Sequence, residues 1–106
     1  MDGVSLRFYM QESRKHRGLL LYEWLLETAK RAGIHGGSAF RAIAGYGRHG
    51  VLHEQHFFEL AGELTVGVEF LLTEPQAALL LALLEQEKVS VFYAKAPASF
   101  GVTGSP

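Results

Sequence analysis

Two units with the same order of patterns, a strand, a helix and a strand, lie on either side of a glycine-containing central segment of this chain. Residues 4–11 and 63–72 alternate apolar and polar side chains, which is the period of a strand with one buried face. Residues 38–44 form a short apolar run bounded by glycines, and residues 89–93 form another run of strand-like composition. Four strands are therefore predicted, two in each unit.

Each unit also contains a helix-like segment between its strands. Residues 19–32 repeat apolar side chains at helical spacing, and Gly33 follows as a helix stop. In the second unit Thr73 precedes Pro75 and Gln76, which is the arrangement of a capping box with proline in the first turn. These signals predict one helix per unit, and the second one begins directly after Thr73.

The order strand, helix, strand, strand, helix, strand is typical of the ferredoxin-like βαββαβ fold of the α+β class. This fold has a four-stranded antiparallel sheet in the order 4-1-3-2, with both helices on one face. We predict a single domain over residues 1–106, a flexible loop over about residues 48–62 and a mobile C-terminal tail over about residues 97–106.

The helix-free face of this sheet is expected to carry a charged row of Arg7, Glu69 and Arg41, because the third strand lies between the first and second. The same face is expected to show four sizeable side chains, which are Tyr9, Ile43, Leu71 and Phe92. A face of this kind packs better against another subunit than against water. A symmetric oligomer is therefore predicted.

Composition excludes several classes of function. The 106 residues include 10 basic and 11 acidic ones, so the chain lacks the positive field that nucleic-acid binding requires. There is no cysteine, no leader-like first segment and no apolar run long enough for membrane insertion, so a cytoplasmic protein is expected. No serine has a nucleophile-elbow context, and no enzyme activity is predicted.

A basic cluster precedes the first predicted helix and consists of Arg14, Lys15, His16 and Arg17. The N-terminus of a helix is also positive, so this segment attracts anions. A solvated run of charge explains the same residues, and both interpretations remain open.

Several short segments are similar, in their order and spacing, to those of a known family. They are Leu6-Arg7-Phe8-Tyr9, Glu12-Ser13, Leu21-Tyr22-Glu23, Gly36-Gly37-Ser38-Ala39-Phe40-Arg41, Gly45-Tyr46-Gly47 and Leu52-His53. On these segments the chain resembles the PII-like proteins of domain-of-unknown-function family 190.

The resemblance implies a PII-like signalling and regulatory protein that forms a homotrimer of ferredoxin-like subunits. Small-molecule effectors, such as an adenine nucleotide, would bind in clefts between subunits, and the loop between the second and third strands would contact an unidentified target protein. PII proteins also have a long glycine- and lysine-containing loop before the last strand, which wraps nucleotide phosphates. The corresponding segment of this chain, residues 85–88, is short and mostly acidic instead.

The central segment has the chemistry of an anion site. Its glycines allow close approach by an anion, and arginine supplies a fixed charge for phosphate or carboxylate. In the competing interpretation, the same glycines only form the turn of a hairpin. The predicted ligand-binding residues are Arg41, Gly45, Tyr46, Gly47, Arg48, Lys88 and Lys95.

Two other functions fit the same segment. His49, His53 and His56 are candidate ligands for a divalent metal, as in a trimer resembling the CutA proteins. Alternatively Phe57 and Phe58 are the contact patch of a ligand-free structural or interaction module. The sequence favours the anionic effector, and it does not identify the effector, the target protein or the pathway.

Overall fold

The computed structural model of the chain describes residues 1–45 and 64–104. Its elements are β1 (Asp2–Gln11), β2 (Lys15–His16), β3 (Leu19–Leu20), α1 (Leu21–Arg31), β4 (Ser38–Arg41), β5 (Thr65–Leu72), α2 (Glu74–Gln86) and β6 (Phe92–Ser99). Strands β4, β5, β1 and β6 form an antiparallel sheet in that order, and β2 pairs with β3 in a short hairpin. The predicted ferredoxin-like α+β fold and the strand order 4-1-3-2 are confirmed.

The core lies between one face of the sheet and the two helices. Alternate residues of the central strands β1 and β5 are buried, as the period of two predicts. The buried side chains of the sheet are Val4, Leu6, Phe8, Met10, Val66, Val68, Phe70 and Leu72. They pack in one cluster with the apolar stripes of the helices, which include Leu21, Trp24, Leu25, Ala29, Ala77, Leu80 and Leu84.

The helix signals in the sequence correspond to hydrogen bonds in the structure. The Thr73 hydroxyl accepts a hydrogen bond from the Gln76 N–H, and the Gln76 side-chain oxygen accepts one from the Thr73 N–H. Gly33 follows α1 with φ +88°, and the Ile34 N–H donates to the Ala29 carbonyl. This is the bond of a Schellman motif, so both the capping box and the helix stop are confirmed.

The boundaries of several elements differ from the prediction, and β1 begins at Asp2 rather than at residue 4. Strand β4 ends at Arg41 rather than at residue 44, and α1 begins at Leu21 because Leu19–Leu20 pairs with the preceding basic segment. The last strand begins at Phe92 and continues to Ser99, whereas residues 89–93 were predicted. Its extra length follows from β1, which offers pairing partners from Asp2 to Tyr9. Pro97 is accommodated because β6 is an edge strand.

The predicted charged row on the helix-free face was wrong at Arg41. Arg41 pairs in register with Val66, whose side chain is buried, so Arg41 lies on the helix-covered face of β4. Phe40, which is opposite Gly67, occupies the helix-free face instead. A shift of one residue exchanges the two faces of a strand, and the short run 38–44 contains too little alternation to define which face is buried. The prediction for Ile43 was also wrong, because this residue lies beyond the end of β4.

Candidate effector-binding site

The helix-free face of the sheet is called the outer face here, and its described residues include Arg7, Tyr9, Phe40, Glu69, Leu71 and Phe92. The Arg7 Nη2 atom donates to Glu69 Oε2 at 2.6 Å, so this part of the charged row is confirmed. The pKa of Arg7 is raised above its usual value, first by this hydrogen bond and then by one with Tyr9. Phe40, Leu71 and Phe92 are 55%, 48% and 51% exposed, so the outer face combines a neutralised charge pair with large apolar side chains.

The ends of β1 and β4 and the beginning of β5 are held together by hydrogen bonds. The Ala42 N–H donates to the Thr65 carbonyl, and the Glu12 N–H donates to the Leu64 carbonyl, both at 2.8 Å. The Arg41 guanidinium pairs with the Glu12 carboxylate at the same place. We call this group of residues the loop root. Arg41 is thus a cation at the loop root, and it already has an internal carboxylate partner.

Of the glycines expected to permit close approach by an anion, Gly45 lies within the described residues. Gly45 has no positive φ, and a Cβ atom added there would meet open space. Its place in the described chain therefore does not require glycine. Six other predicted site residues lie outside the described residues, and they are Tyr46, Gly47, Arg48, His49, His53 and His56. Phe57, Phe58 and the predicted flexible loop 48–62 also lie outside them.

The two predicted lysines are in different situations. Lys95 lies on β6, and its Nζ atom donates to Glu74 Oε1 at 2.8 Å, at the beginning of α2. Lys88 follows α2 with φ +58°, a left-handed conformation that is unfavourable for a residue with a Cβ atom. Among the described residues Lys88 has no carboxylate partner. Lys88 is therefore available to an external anion without displacement of a carboxylate.

A second group of charges, which we call the clasp, consists of His16, Arg17 and Glu87. Arg17 Nε donates to Glu87 Oε1 at 2.7 Å and Arg17 Nη2 to Glu87 Oε2 at 3.3 Å. His16 Nε2 lies 3.0 Å from Glu87 Oε1. These contacts join the β2–β3 hairpin to the end of α2.

The clasp changes the electrostatics of the acidic segment before β6. The pKa of Glu87 is lowered, first by the hydrogen bond from Arg17 and then by the one with His16. The pKa of Arg17 is raised by the same hydrogen bond with Glu87. Glu87 therefore stays ionised next to a matched cation, and its charge is neutralised within the protomer.

Three carboxylates of this arrangement, Glu12, Glu74 and Glu87, were not identified as site residues from the sequence. Each pairs with a cation 21 to 70 residues away, so no local spacing could reveal the pairs. The hairpin did carry a signal, because Gly18 follows Arg17 as the second residue of a two-residue turn. Both central residues have positive φ, as a type I′ hairpin turn requires.

No group of three or more metal-ligating side chains converges within residues 1–45 and 64–104. Over the same residues, the helices are too short or too polar to cross a membrane.

The family model DUF190, described as Uncharacterized ACR, COG1993, matches residues 3–91 of this chain. A UPF0166 protein of Aquifex aeolicus is 39% identical over 66 residues, which are 62% of this chain and 63% of the relative. A UPF0166 protein of Methanocaldococcus jannaschii is 38% identical over 64 residues, which are 60% of this chain and 58% of the relative. The matched segment thus spans less than two thirds of each of these relatives.

Two solved structures have a similar fold. A proposed PII-like signalling protein of Thermus thermophilus superimposes with a TM-score of 0.61 at 18% identity, covering 92% of this chain and 88% of the other. CPII, a nitrogen regulatory PII-like protein of Thiomonas intermedia solved with ADP, AMP and bicarbonate, has a TM-score of 0.57 at 15% identity. That match covers 96% of this chain and 98% of CPII. At these identities the likeness establishes the fold.

Proposed function

Because the chain belongs to the DUF190 family and has a PII-like fold, we propose that it is a regulatory protein that binds a small anionic effector. It acts as a homotrimer, and the effector lies between subunits. An adenine nucleotide is the first candidate, because CPII was solved with ADP and AMP as well as bicarbonate. The output is a change of the loop between β4 and β5, which contacts a target protein.

One observation carries the proposal. A long segment joins the neighbouring antiparallel strands β4 and β5, and the backbone at both of its ends is bonded next to Arg41. An anion that binds Arg41 therefore acts on the point from which the loop starts. The proposed ligand-binding residues remain Arg41, Gly45, Tyr46, Gly47, Arg48, Lys88 and Lys95.

Self-association is supported by the outer face. No described element covers this face, and Tyr9 and Phe92 form an aromatic pair on it with ring centroids 5.8 Å apart. The charge of Arg7 is neutralised by Glu69, so the face can be buried without leaving an unpaired ion. A second copy of the chain presents the same neutralised, partly apolar surface, which fits a symmetric assembly.

The assembly is tested by the mass in solution of the wild type and of two glutamate variants. Phe92→Glu places a charge on the outer face, and we expect it to convert the trimer into smaller species. Leu79→Glu places the same charge on an exposed apolar position of α2 and serves as the matched control. A wild-type monomer, or an equal effect of both variants, contradicts assembly through the outer face.

Effector binding is tested by thermal shift with ATP, ADP, AMP, cyclic dinucleotides, bicarbonate and divalent metals. A ligand at about a hundred times its Kd stabilises the native state by about 2.7 kcal/mol, so binding raises Tm measurably. Arg41→Gln is expected to reduce the shift. Arg31→Gln removes an exposed cation at the end of α1 and is expected to leave the shift unchanged.

The outcome also separates the alternatives. A shift with metal alone, lost when His49, His53 and His56 are replaced by alanine, indicates a CutA-like metal-binding trimer. No shift with any ligand indicates a structural or interaction module and refutes the effector proposal.

A further inference from the structure

The clasp of His16, Arg17 and Glu87 has a geometry that the proposed effector site does not use. Arg17 holds both oxygens of one carboxylate side-on, and His16 contacts one of the same oxygens. The same donors are suited to phosphate. A guanidinium binds phosphate oxygens through two parallel N–H groups, and an imidazole nitrogen can add a further contact. The Glu87 carboxylate therefore occupies an anion site, formed by His16 and Arg17, whose chemistry also suits a more highly charged anion.

The surroundings carry more positive charge than Glu87 neutralises. The two segments that meet at the clasp are residues 14–17 and 85–88, and they contain four cations, Arg14, Lys15, Arg17 and Lys88. They contain two carboxylates, Glu85 and Glu87, so two positive charges remain when His16 is neutral. Arg14, Lys15 and Lys88 have no carboxylate partner within the described chain. A dianion matches this surplus better than a single carboxylate does.

The backbone on both sides of the clasp is also unusual. Among the described residues, Arg17 and Lys88 are the non-glycine residues with positive φ, at +53° and +58°. Each conformation is unfavourable for a residue with a Cβ atom. Glycine would avoid this cost at either position. The presence of basic side chains at both is consistent with a role for their charge.

We propose that His16 and Arg17 form a phosphate-binding site within one protomer and that Glu87 closes this site in the ligand-free protein. A phosphate group carries nearly two negative charges and three strong acceptor oxygens, so it replaces the Glu87 carboxylate at the guanidinium. Replacement of Glu87 releases the β2–β3 hairpin from the end of α2. This site requires neither the central loop nor a second copy of the chain. The charge of Lys88 contributes to both this site and the proposed effector site. Arg17→Gln leaves every residue of the proposed effector site in place, so it distinguishes the two.

The chain contains its own reporter of this site. Trp24 is the single tryptophan, and the His16 ring meets its ring edge-on with centroids 4.5 Å apart. Trp24 is buried and belongs to the core, so its own position is fixed. A displacement of His16 therefore changes the contact with Trp24 and the fluorescence of the protein.

The experiment is a fluorescence titration with inorganic phosphate and with pyrophosphate, at an ionic strength held constant with chloride. The wild type is expected to give a saturable change. Arg17→Gln removes the fork of donors and is expected to abolish it, without altering the backbone requirement, because glutamine also has a Cβ atom. Glu87→Gln opens the site and is expected to lower the apparent Kd roughly threefold or more, since a competing half-exposed ion pair is removed.

The matched control is Glu85→Gln. It removes the same charge at a position two residues before Glu87, and the Glu85 carboxylate has no ion pair in the described chain. An equal decrease of the apparent Kd for phosphate in both variants would mean that only the overall electrostatic potential had changed. This result would overturn the proposal. The proposal is also overturned if Arg17→Gln binds phosphate as the wild type does. Absence of binding to both the wild type and Glu87→Gln, by fluorescence and by thermal shift of folded protein, overturns it as well.

Discussion

Replacing Lys88 with glycine is expected to make the protein more stable, because Lys88 occupies a position at which glycine is the favoured residue. After α2 the Lys88 N–H donates to the Glu85 carbonyl and the Val89 N–H to the Leu84 carbonyl, both at 3.0 Å. These are the two bonds of a Schellman motif, whose first residue beyond the cap is left-handed. The same motif ends α1, where that residue is Gly33.

The expected change in the free energy of unfolding is the difference between two opposing contributions. Relief of the left-handed conformation is worth about 1–2 kcal/mol for a residue with a Cβ atom. The greater freedom of glycine in the unfolded chain opposes this by about 0.4–1 kcal/mol. A net stabilisation of about 0.5–1 kcal/mol remains, which raises Tm by roughly 2–8 °C in a chain of this size. No described ion pair of Lys88 is lost.

Thermal unfolding followed by circular dichroism at a fixed protein concentration measures this change, because concentration shifts the Tm of an oligomer. Lys88→Ala removes the ammonium group and keeps the backbone conformation, so its Tm is expected to equal that of the wild type. Gly33→Ala introduces the same backbone cost in α1, where a Cβ atom meets no other atom within 4 Å. It is expected to lose about 1 kcal/mol.

Both Lys88 variants also test the proposed effector site, since each is expected to bind the effector more weakly while only Lys88→Gly gains stability. A lower Tm for Lys88→Gly, together with the expected loss for Gly33→Ala, would refute the reasoning. Lys88 would then contribute contacts that offset its backbone cost, and no functional reason for its presence would be needed.

Three further predictions concern stability. Leu6→Ala removes a fully buried side chain of β1 and is expected to cost about 2–5 kcal/mol in urea unfolding, and a loss below about 1 kcal/mol would contradict its place in the core. Thr73→Ala removes the capping-box hydroxyl and is expected to cost about 1 kcal/mol, whereas Thr73→Ser should retain most of the stability. The lowered pKa of Glu87 means that its contribution is complete above its ordinary value of 4.5 and is lost as pH falls through the lowered value. The stability difference between wild type and Glu87→Gln should therefore shrink in acid, and a difference that stays constant would contradict the ion pair.

The fold could be predicted because its signals are local. Alternation along β1 and β5, the capping box at Thr73 and the stop at Gly33 each depend on residues within a few positions of one another. The C-terminal end of β6 could not be predicted, because the strand continues along β1 as far as Asp2. The resemblance to the PII-like proteins is confirmed at the level of family and fold.

The candidate site could be predicted only in part, because its cations are visible in the sequence and their partners are not. Arg41 and Lys95 were predicted as site residues, and Arg17 was noted only in the basic cluster before the first helix, yet each carboxylate partner comes from a distant element. The face of β4 on which Arg41 lies was likewise undetermined by its short run of residues.

The amino-acid sequence by itself determined the order of the four sheet strands and the two helices, the capping box at Thr73, the stop at Gly33 and the alternating core residues of β1 and β5, because periodicity and capping act over a few neighbouring residues. Only the tertiary structure decided which charges meet. Glu87 neutralises Arg17 because the hairpin and the end of α2 lie against each other in the folded chain. Charge pairing of this kind depends on distance in space, and the fold brings together residues that are 70 positions apart.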